Sequence, residues 1–186
     1  MTPKKIKLTK YEVADRQLHT AVRAVFSEED PVSTHTLAAA SHQVFSDLVK
    51  RSSEKDPEVL RNMIAKDKWP KLKNELREPA NFFKHADRDP ESTLTFRPVI
   101  THLLMLESIC HIEVLGRIKS WRLRVFGIWF AKNHEALMSP GGDLIRCVEL
   151  WKRIGCPETL SDFHEASESQ LVALSKGASA NRDEQA

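Results

Sequence analysis

The sequence predicts an all-α protein, a single-domain helical bundle of about six to eight helices with a buried central helix near residues 99–115. Apolar residues recur at steps of three and four along most of the chain. The chain has no internal repeat and no glycine-rich loop. Only STLTFRP, residues 92–98, alternates as a strand does, and it is too short to build a sheet, so we expect an extended connection there.

The composition is that of one globular domain. At 186 residues, the chain is long enough to bury about two-thirds of the surface that its unfolded form exposes. The formal net charge is only +2, so a polyanion would have to meet a local basic patch rather than the whole molecule. We expect a basic N-terminal tail over 1–8, the bundle over 9–176 and a disordered tail over 177–186.

Cysteine usage and hydropathy predict a cytoplasmic protein. The cysteines are odd in number and lack metal-ligand spacing, which favours reduced thiols. The basic first residues are followed by no apolar stretch typical of a signal peptide. The most apolar run, 99–115, contains charged and imidazole side chains and is short for a membrane span, so we expect no membrane association. The three cysteines are Cys110, Cys147 and Cys156.

The first two helices are indicated by capping residues and apolar stripes. Thr9 and Glu12 have the spacing of a capping box, and the helix that they begin should end near Ser27. Ser33 is the predicted N-cap of a second helix that reaches about Arg51. The apolar stripes comprise Tyr11, Ala14, Leu18, Ala21, Val22 and Val25 in the first helix, and Leu37, Ser41, Val44, Phe45 and Leu48 in the second.

Two prolines affect the helices predicted in the middle of the chain. A short helix is predicted over 57–66 and a longer one over 69–85. Pro70 suits a first turn, where its missing amide hydrogen costs nothing. Pro79 should kink the longer helix or split it in two.

The second half of the chain contains the predicted central helix. Residues 99–115 are apolar around nearly the whole circumference of a helix, which is typical of a buried element. Helices are predicted over 120–138 and 142–154, with a weaker one over 161–175. The 120–138 helix contains an aromatic cluster that favours either core packing or a homodimer interface: Trp121, Phe126, Trp129 and Phe130.

The segment 77–89 is the candidate binding site. On a helical wheel its guanidinium, amide, ammonium and imidazole groups share one arc, almost opposite the apolar residues. These groups are the donors that a phosphate or carboxylate requires. A solvated surface helix or an architectural hydrogen-bond network would give the same pattern. The candidate residues are Arg77, Asn81, Lys84 and His85, followed by Asp87, Arg88 and Asp89.

Other polar groups predict packing rather than metal chemistry. Glu107 and His111, at positions i and i+4 of the apolar helix, form a predicted buried polar pair, because an isolated buried charge is costly. His35 and His42 lie two turns apart, with small alanines between them that allow another helix to come close. No complete metal-binding motif is present, so we expect neither a metal nor a cofactor.

Three strings resemble segments of a family of uncharacterised bacterial proteins: KLTKYEVADRQLHTAV, HTLAAASHQV and NFFKHADRDP. The resemblance covers about the first 135 residues, and NFFKHADRDP is its most specific part. It implies a helical fold and a bacterial cytoplasmic protein, rather than a particular reaction.

A looser likeness is to the HEPN superfamily of helical ribonucleases and toxins, whose signature is an arginine followed after four to six residues by a histidine. The family resemblance implies that such pairs meet across a dimer to cut RNA. Arg77 and His85 depart from the pattern because seven residues separate them and Glu78 follows the arginine. Arg97 and His102 match the spacing, at a frequency expected by chance.

The sequence therefore predicts that the 77–89 segment binds an anionic group on nucleic acid, such as RNA, or on a partner protein. One alternative is a metal-independent ribonuclease with His85 as the acid–base group and Arg77 or Lys84 stabilising the phosphate. Another is an interaction module whose partner docks on the aromatic surface. A homodimer is compatible with each.

Overall fold

The computed structural model describes residues 5–52, 59–76, 78–84, 90–155 and 157–169, and the predicted tail 177–186 and Cys156 lie outside these ranges. The described residues form an all-α bundle without strands, as predicted. Its helices are α1 Lys10–Phe26, α2 Pro31–Ser52, α3 Val59–Met63, α4 Trp69–Glu75, α5 Glu78–Phe82, α6 Val99–Val114, α7 Trp121–Asn133, α8 Asp143–Ile154 and α9, residues 160–169. A short 3-10 turn, Glu135–Leu137, follows α7.

The predicted start of α1 is confirmed, whereas that of α2 is wrong by three residues. The Thr9 hydroxyl accepts a hydrogen bond from the Glu12 amide, and the Glu12 carboxylate accepts one from the Thr9 amide at 2.7 Å. The second helix begins at Pro31 rather than after Ser33. Its cap is the Asp30 carboxylate, which accepts a hydrogen bond from the Ser33 amide at 2.7 Å. Pro31 suits the first helical position because it has no amide hydrogen that would need a partner there.

Small residues allow α1 and α2 to pack closely. Ala14 and Ala38 are fully buried, and Ala39 is nearly so. The buried Ser41 hydroxyl crosses between the helices and donates to the Ala14 carbonyl at 2.8 Å. This hairpin presents its other side to α6, which packs against both helices.

The central position of α6 is confirmed. Eleven of its sixteen residues are buried, and it contacts α1, α2, α3 and α7. Gly116, at φ +68°, ends it in a left-handed turn in which the Arg117 amide donates to the Ile112 carbonyl. None of the helices in the described ranges combines the length and apolar character needed to cross a membrane.

The predicted helix over 69–85 is split, as Pro79 suggested. The chain forms α4 and then α5, with Pro70 in the first turn of α4 and Pro79 buried in α5. Before α4, Ile64 meets Met138 in an isolated antiparallel bridge. This bridge joins the segment after α3 to the end of the 3-10 turn.

Three of the four aromatic residues of α7 are core residues. Phe126 and Phe130 are fully buried and Trp129 is 6% exposed, so their packing lies within the chain. Trp121 is half-buried and contacts Trp151 of α8 at a ring-centroid distance of 6.2 Å. Cys110 and Cys147 are free, and burial raises the pKa of the Cys110 thiol to about 12, which keeps it protonated.

Candidate functional site

Two members of the predicted 77–89 site lie in the described residues, and both face solvent. Asn81 is in α5 and Lys84 follows its last turn. The other predicted members lie outside the described residues: Arg77, His85, Asp87, Arg88 and Asp89.

The opposite side of this segment packs on α2 and the connection to α6. The Phe83 ring meets the rings of His35 and Phe96 edge to face, at centroid distances of 5.4 Å and 5.4 Å. Pro79 is buried as well. The division between an apolar inner side and a polar outer side therefore holds for the described part of the segment.

His35 lies directly beneath this surface and is a structural residue. It is fully buried, and its Nδ1 atom is 2.9 Å from the Thr101 hydroxyl of α6. Burial, with a smaller contribution from the positive charge of Lys84, lowers the pKa of His35 to about 4. The imidazole is therefore neutral at pH 7, and Lys84 is close enough for its charge to act on it.

Glu107, predicted to pair within α6, meets a histidine of another helix. Its carboxylate lies 2.7 Å from the Nε2 atom of His42 in α2. The His111 ring stacks beside His42, with centroids 5.8 Å apart. The three side chains thus form one polar cluster between α2 and α6, with Glu107 and His42 about four-fifths buried.

The arginine and histidine that match the ribonuclease spacing lie in different surroundings. Arg97 is 44% exposed and forms an ion pair with Glu75 at 3.2 Å. His102 is enclosed by the rings of Phe126, Trp129 and His134, and burial lowers its pKa to about 4. Arg97 therefore faces solvent, while His102 is partly buried among aromatic rings.

The sequence did not reveal a polar network that joins α1, α7 and α9. Arg122 donates to both carboxylate oxygens of Glu168 at 2.6 and 2.8 Å, and to the Nδ1 atom of His19 at 3.2 Å. The Nε2 atom of His19 lies 3.3 Å from the Ser120 hydroxyl and 3.8 Å from Asp15. Burial lowers the pKa of His19; Asp15 opposes this shift and Arg122 reinforces it.

This network resembles a Ser-His-Asp triad in composition but not in function. An arginine can only donate, so the Nδ1 atom of His19 accepts and its Nε2 atom carries the hydrogen. His19 in that tautomer cannot accept a proton from Ser120, and Asp15 lies beside the wrong ring nitrogen. The network therefore fastens helices together rather than activating a nucleophile.

Fold and side-chain clusters together define an all-α helical bundle with structural histidines inside and a polar outer surface at α5 and just after it, where Glu78, Asn81 and Lys84 are exposed. Among the described residues, no group of three or more His, Cys, Asp or Glu side chains is arranged to hold a metal ion. Comparisons with protein-family models, with curated proteins and with solved structures return no match to this chain.

Proposed function

We propose that this protein binds an anionic group, on nucleic acid or on a partner protein, through the 77–89 segment. The observation that supports the proposal best is the environment of Lys84. This side chain is exposed and forms no ion pair with any residue in the described ranges, so its ammonium is available to a ligand. Asn81, three positions earlier, is exposed and adds amide donors.

The support beneath Lys84 is also suited to binding. Phe83 packs against both His35 and Phe96, which also contact each other, and this cluster fixes the backbone next to the lysine. Because His35 stays neutral at pH 7, the Lys84 ammonium meets no positive charge on the histidine beneath it. A phosphate bound there would keep part of its hydration shell and replace the rest with charge-assisted hydrogen bonds.

The proposal can be tested with fluorescence anisotropy of a labelled single-stranded RNA at several salt concentrations. We expect Lys84→Gln to weaken binding and to reduce the slope of log K against log salt by about 0.7, the value for one lost phosphate contact on a single strand. Asn81→Ala should weaken binding without changing the slope, since an amide releases no counterion. Variants of Arg77, His85 and Arg88 extend the test to the rest of the segment.

The matched control is Lys50→Gln. Lys50 is also exposed, but it lies fifteen residues from His35 along α2, about 22 Å at the rise of an α-helix. The substitution Lys50→Gln therefore removes one lysine charge, as Lys84→Gln does, but far from the proposed site. Equal losses in Lys84→Gln and Lys50→Gln would show that RNA binds to the general charge of the protein, and the proposed site would be rejected.

The ribonuclease alternative also assigns a role to Lys84, and the exposure of that side chain is the observation in its favour. In this alternative His85 exchanges the proton and Lys84 or Arg77 stabilises the phosphate. Incubation with structured RNA in EDTA tests it. Cleavage that is lost in His85→Ala would support it, whereas absent cleavage, or cleavage unchanged in that variant, would reject it.

The proposal includes a cytoplasmic location and a homodimer. Two free cysteines, Cys110 and Cys147, fit a reducing compartment. The buried rings of α7 cannot form a dimer surface without unfolding, so we propose that a dimer would use another face. Light scattering at several protein concentrations tests the dimer.

A further inference from the structure

A concave cavity lies where the segment between α3 and α4 meets the end of the 3-10 turn, and none of its described lining residues belongs to α5. Its volume is about 580 Å³, within the range of small-molecule sites. It is lined by Arg61 and Asn62 of α3, by Lys66, by Trp69 and Pro70 of α4, and by Ser139.

Backbone hydrogen bonds between distant segments hold the cavity open. The Ala65 amide donates to the Leu137 carbonyl, and the Ser139 amide donates to the Met63 carbonyl, both at 2.8 Å. The Ser139 hydroxyl also donates to the Asn62 carbonyl at 3.3 Å. The walls are therefore positioned before any ligand arrives, which lowers the entropic cost of binding.

The charge around this cavity is concentrated and partly uncompensated. Of the described residues that line it, Arg61 and Lys66 are basic and none is acidic. The nearest acidic residue in sequence, Asp67, lies outside the lining and contacts Lys68 at 3.1 Å. Lys66 forms no ion pair with any residue that the structure describes, so its ammonium can meet an anion in the cavity.

Trp69 provides a flat aromatic wall beside this charge. It is half-buried: part of the indole packs against the hydrophobic core and part lines the cavity. A ring held in this way is a rigid surface on which a nucleobase stacks. The Asn62 amide makes no hydrogen bond to a described residue, which leaves its donors and its acceptor for the edge of a base or for a ribose.

We propose that this cavity binds a nucleotide, with the base stacked on Trp69 and the phosphate at Lys66. An ammonium alone would suit any anion, but an ammonium beside an indole and a free amide suits a ligand with both a phosphate and a planar polar ring. The same chemistry is offered by a free mononucleotide and by the end of an RNA strand.

Calorimetry with AMP, adenosine and inorganic phosphate tests the proposal. We expect AMP to bind more tightly than either fragment, because only AMP fills both parts of the cavity. Lys66→Gln should weaken AMP binding about tenfold, the loss of one charge-assisted hydrogen bond, and leave adenosine binding unchanged. The control Lys68→Gln removes the same charge two residues away, outside the lining, and should change neither.

Trp69→Leu should weaken the binding of both AMP and adenosine. Trp69→Phe should retain most of the binding, because the smaller ring still stacks on the base. Thermal unfolding of each variant checks the fold, and if Trp69→Leu does not fold, the lysine variants and Trp69→Phe decide. A 5′-phosphorylated single-stranded RNA that displaces AMP identifies a strand end as a ligand, and AMP binding without displacement identifies the free nucleotide.

The inference is overturned if AMP binds no more tightly than phosphate, or if Lys66→Gln and Lys68→Gln weaken AMP binding equally. It is independent of the 77–89 segment, because Lys84→Gln should leave AMP binding unchanged. Failure of one site therefore does not imply failure of the other.

Discussion

The Glu107 carboxylate lies 2.7 Å from the Nε2 atom of His42, and this contact joins α6 to α2. Both side chains are largely buried, with 17% and 22% of their surfaces exposed. Loss of either partner leaves the other without its hydrogen bond in a site that water reaches poorly.

We therefore predict a coupled effect on stability. His42→Ala and Glu107→Ala should each lower the free energy of unfolding by about 1–3 kcal/mol, and the double variant should lose less than the sum, with a coupling of about 1 kcal/mol or more. Denaturant unfolding of the four proteins measures this. The exposed pair Gln43 and Asp47, at 2.9 Å on α2, is the control and should show a coupling of only a few tenths of a kcal/mol. Strict additivity at His42 and Glu107 would contradict the prediction.

Mild acid should destabilise the fold through its buried histidines. His35 and His102 both have a pKa of about 4, lowered from 6.5 mainly by burial. Between pH 6.5 and pH 4 the unfolded chain binds protons that the folded chain does not, so the free energy of unfolding falls as the pH falls. Each histidine contributes up to about 3 kcal/mol to this loss.

His102→Phe isolates one of these contributions. The Nδ1 atom of His102 is buried without a hydrogen-bond partner, and the ring lies among aromatic side chains, so phenylalanine fits the site without losing a bond there. The variant should lose less stability than the natural sequence between pH 6.5 and pH 4, as measured by urea unfolding at each pH. Identical pH dependences would show that His102 is not the source.

The pKa of His35 should report on the occupancy of Lys84. Lys84 lowers that pKa through its positive charge, so Lys84→Gln should raise it, because the imidazolium no longer meets a cation. An anion bound at Lys84 should raise it as well. NMR titration of the His35 ring with and without inorganic phosphate measures both effects. Lys50→Gln should leave the pKa of His35 unchanged, and an equal rise in both variants would contradict the proposed proximity.

Arg122 should anchor α9 to the rest of the bundle. Its guanidinium binds both oxygens of Glu168, and the neighbouring Trp121 indole donates to the Ala166 carbonyl at 2.6 Å. Arg122→Ala should lower the free energy of unfolding by about 1–3 kcal/mol, because the Arg122 side chain is only 13% exposed. It should also increase hydrogen exchange in residues 160–169. Arg146→Ala, in an exposed pair with Asp143, should change neither quantity. Unchanged exchange in α9 of Arg122→Ala would reject the anchor.

The features that the sequence determined by itself depend on interactions within a few residues. The Thr9 and Glu12 capping box, the break at Pro79 and the buried circumference of α6 were all predictable, because caps, prolines and the 3.6-residue period act inside one or two turns. The exception was the start of α2, where both Asp30 and Ser33 can cap and the proline between them favoured the earlier residue.

Only the tertiary structure decided which side chains meet across helices. His42 reaches Glu107 across 65 positions, Arg122 reaches Glu168 across 46, and the 64–138 bridge builds the cavity beside Lys66 and Trp69. Periodicity gives the buried face of each helix but not its neighbour, its rotation or its distance. Those are set by how the volumes of all the buried side chains fit together, so no single stretch of sequence contains them.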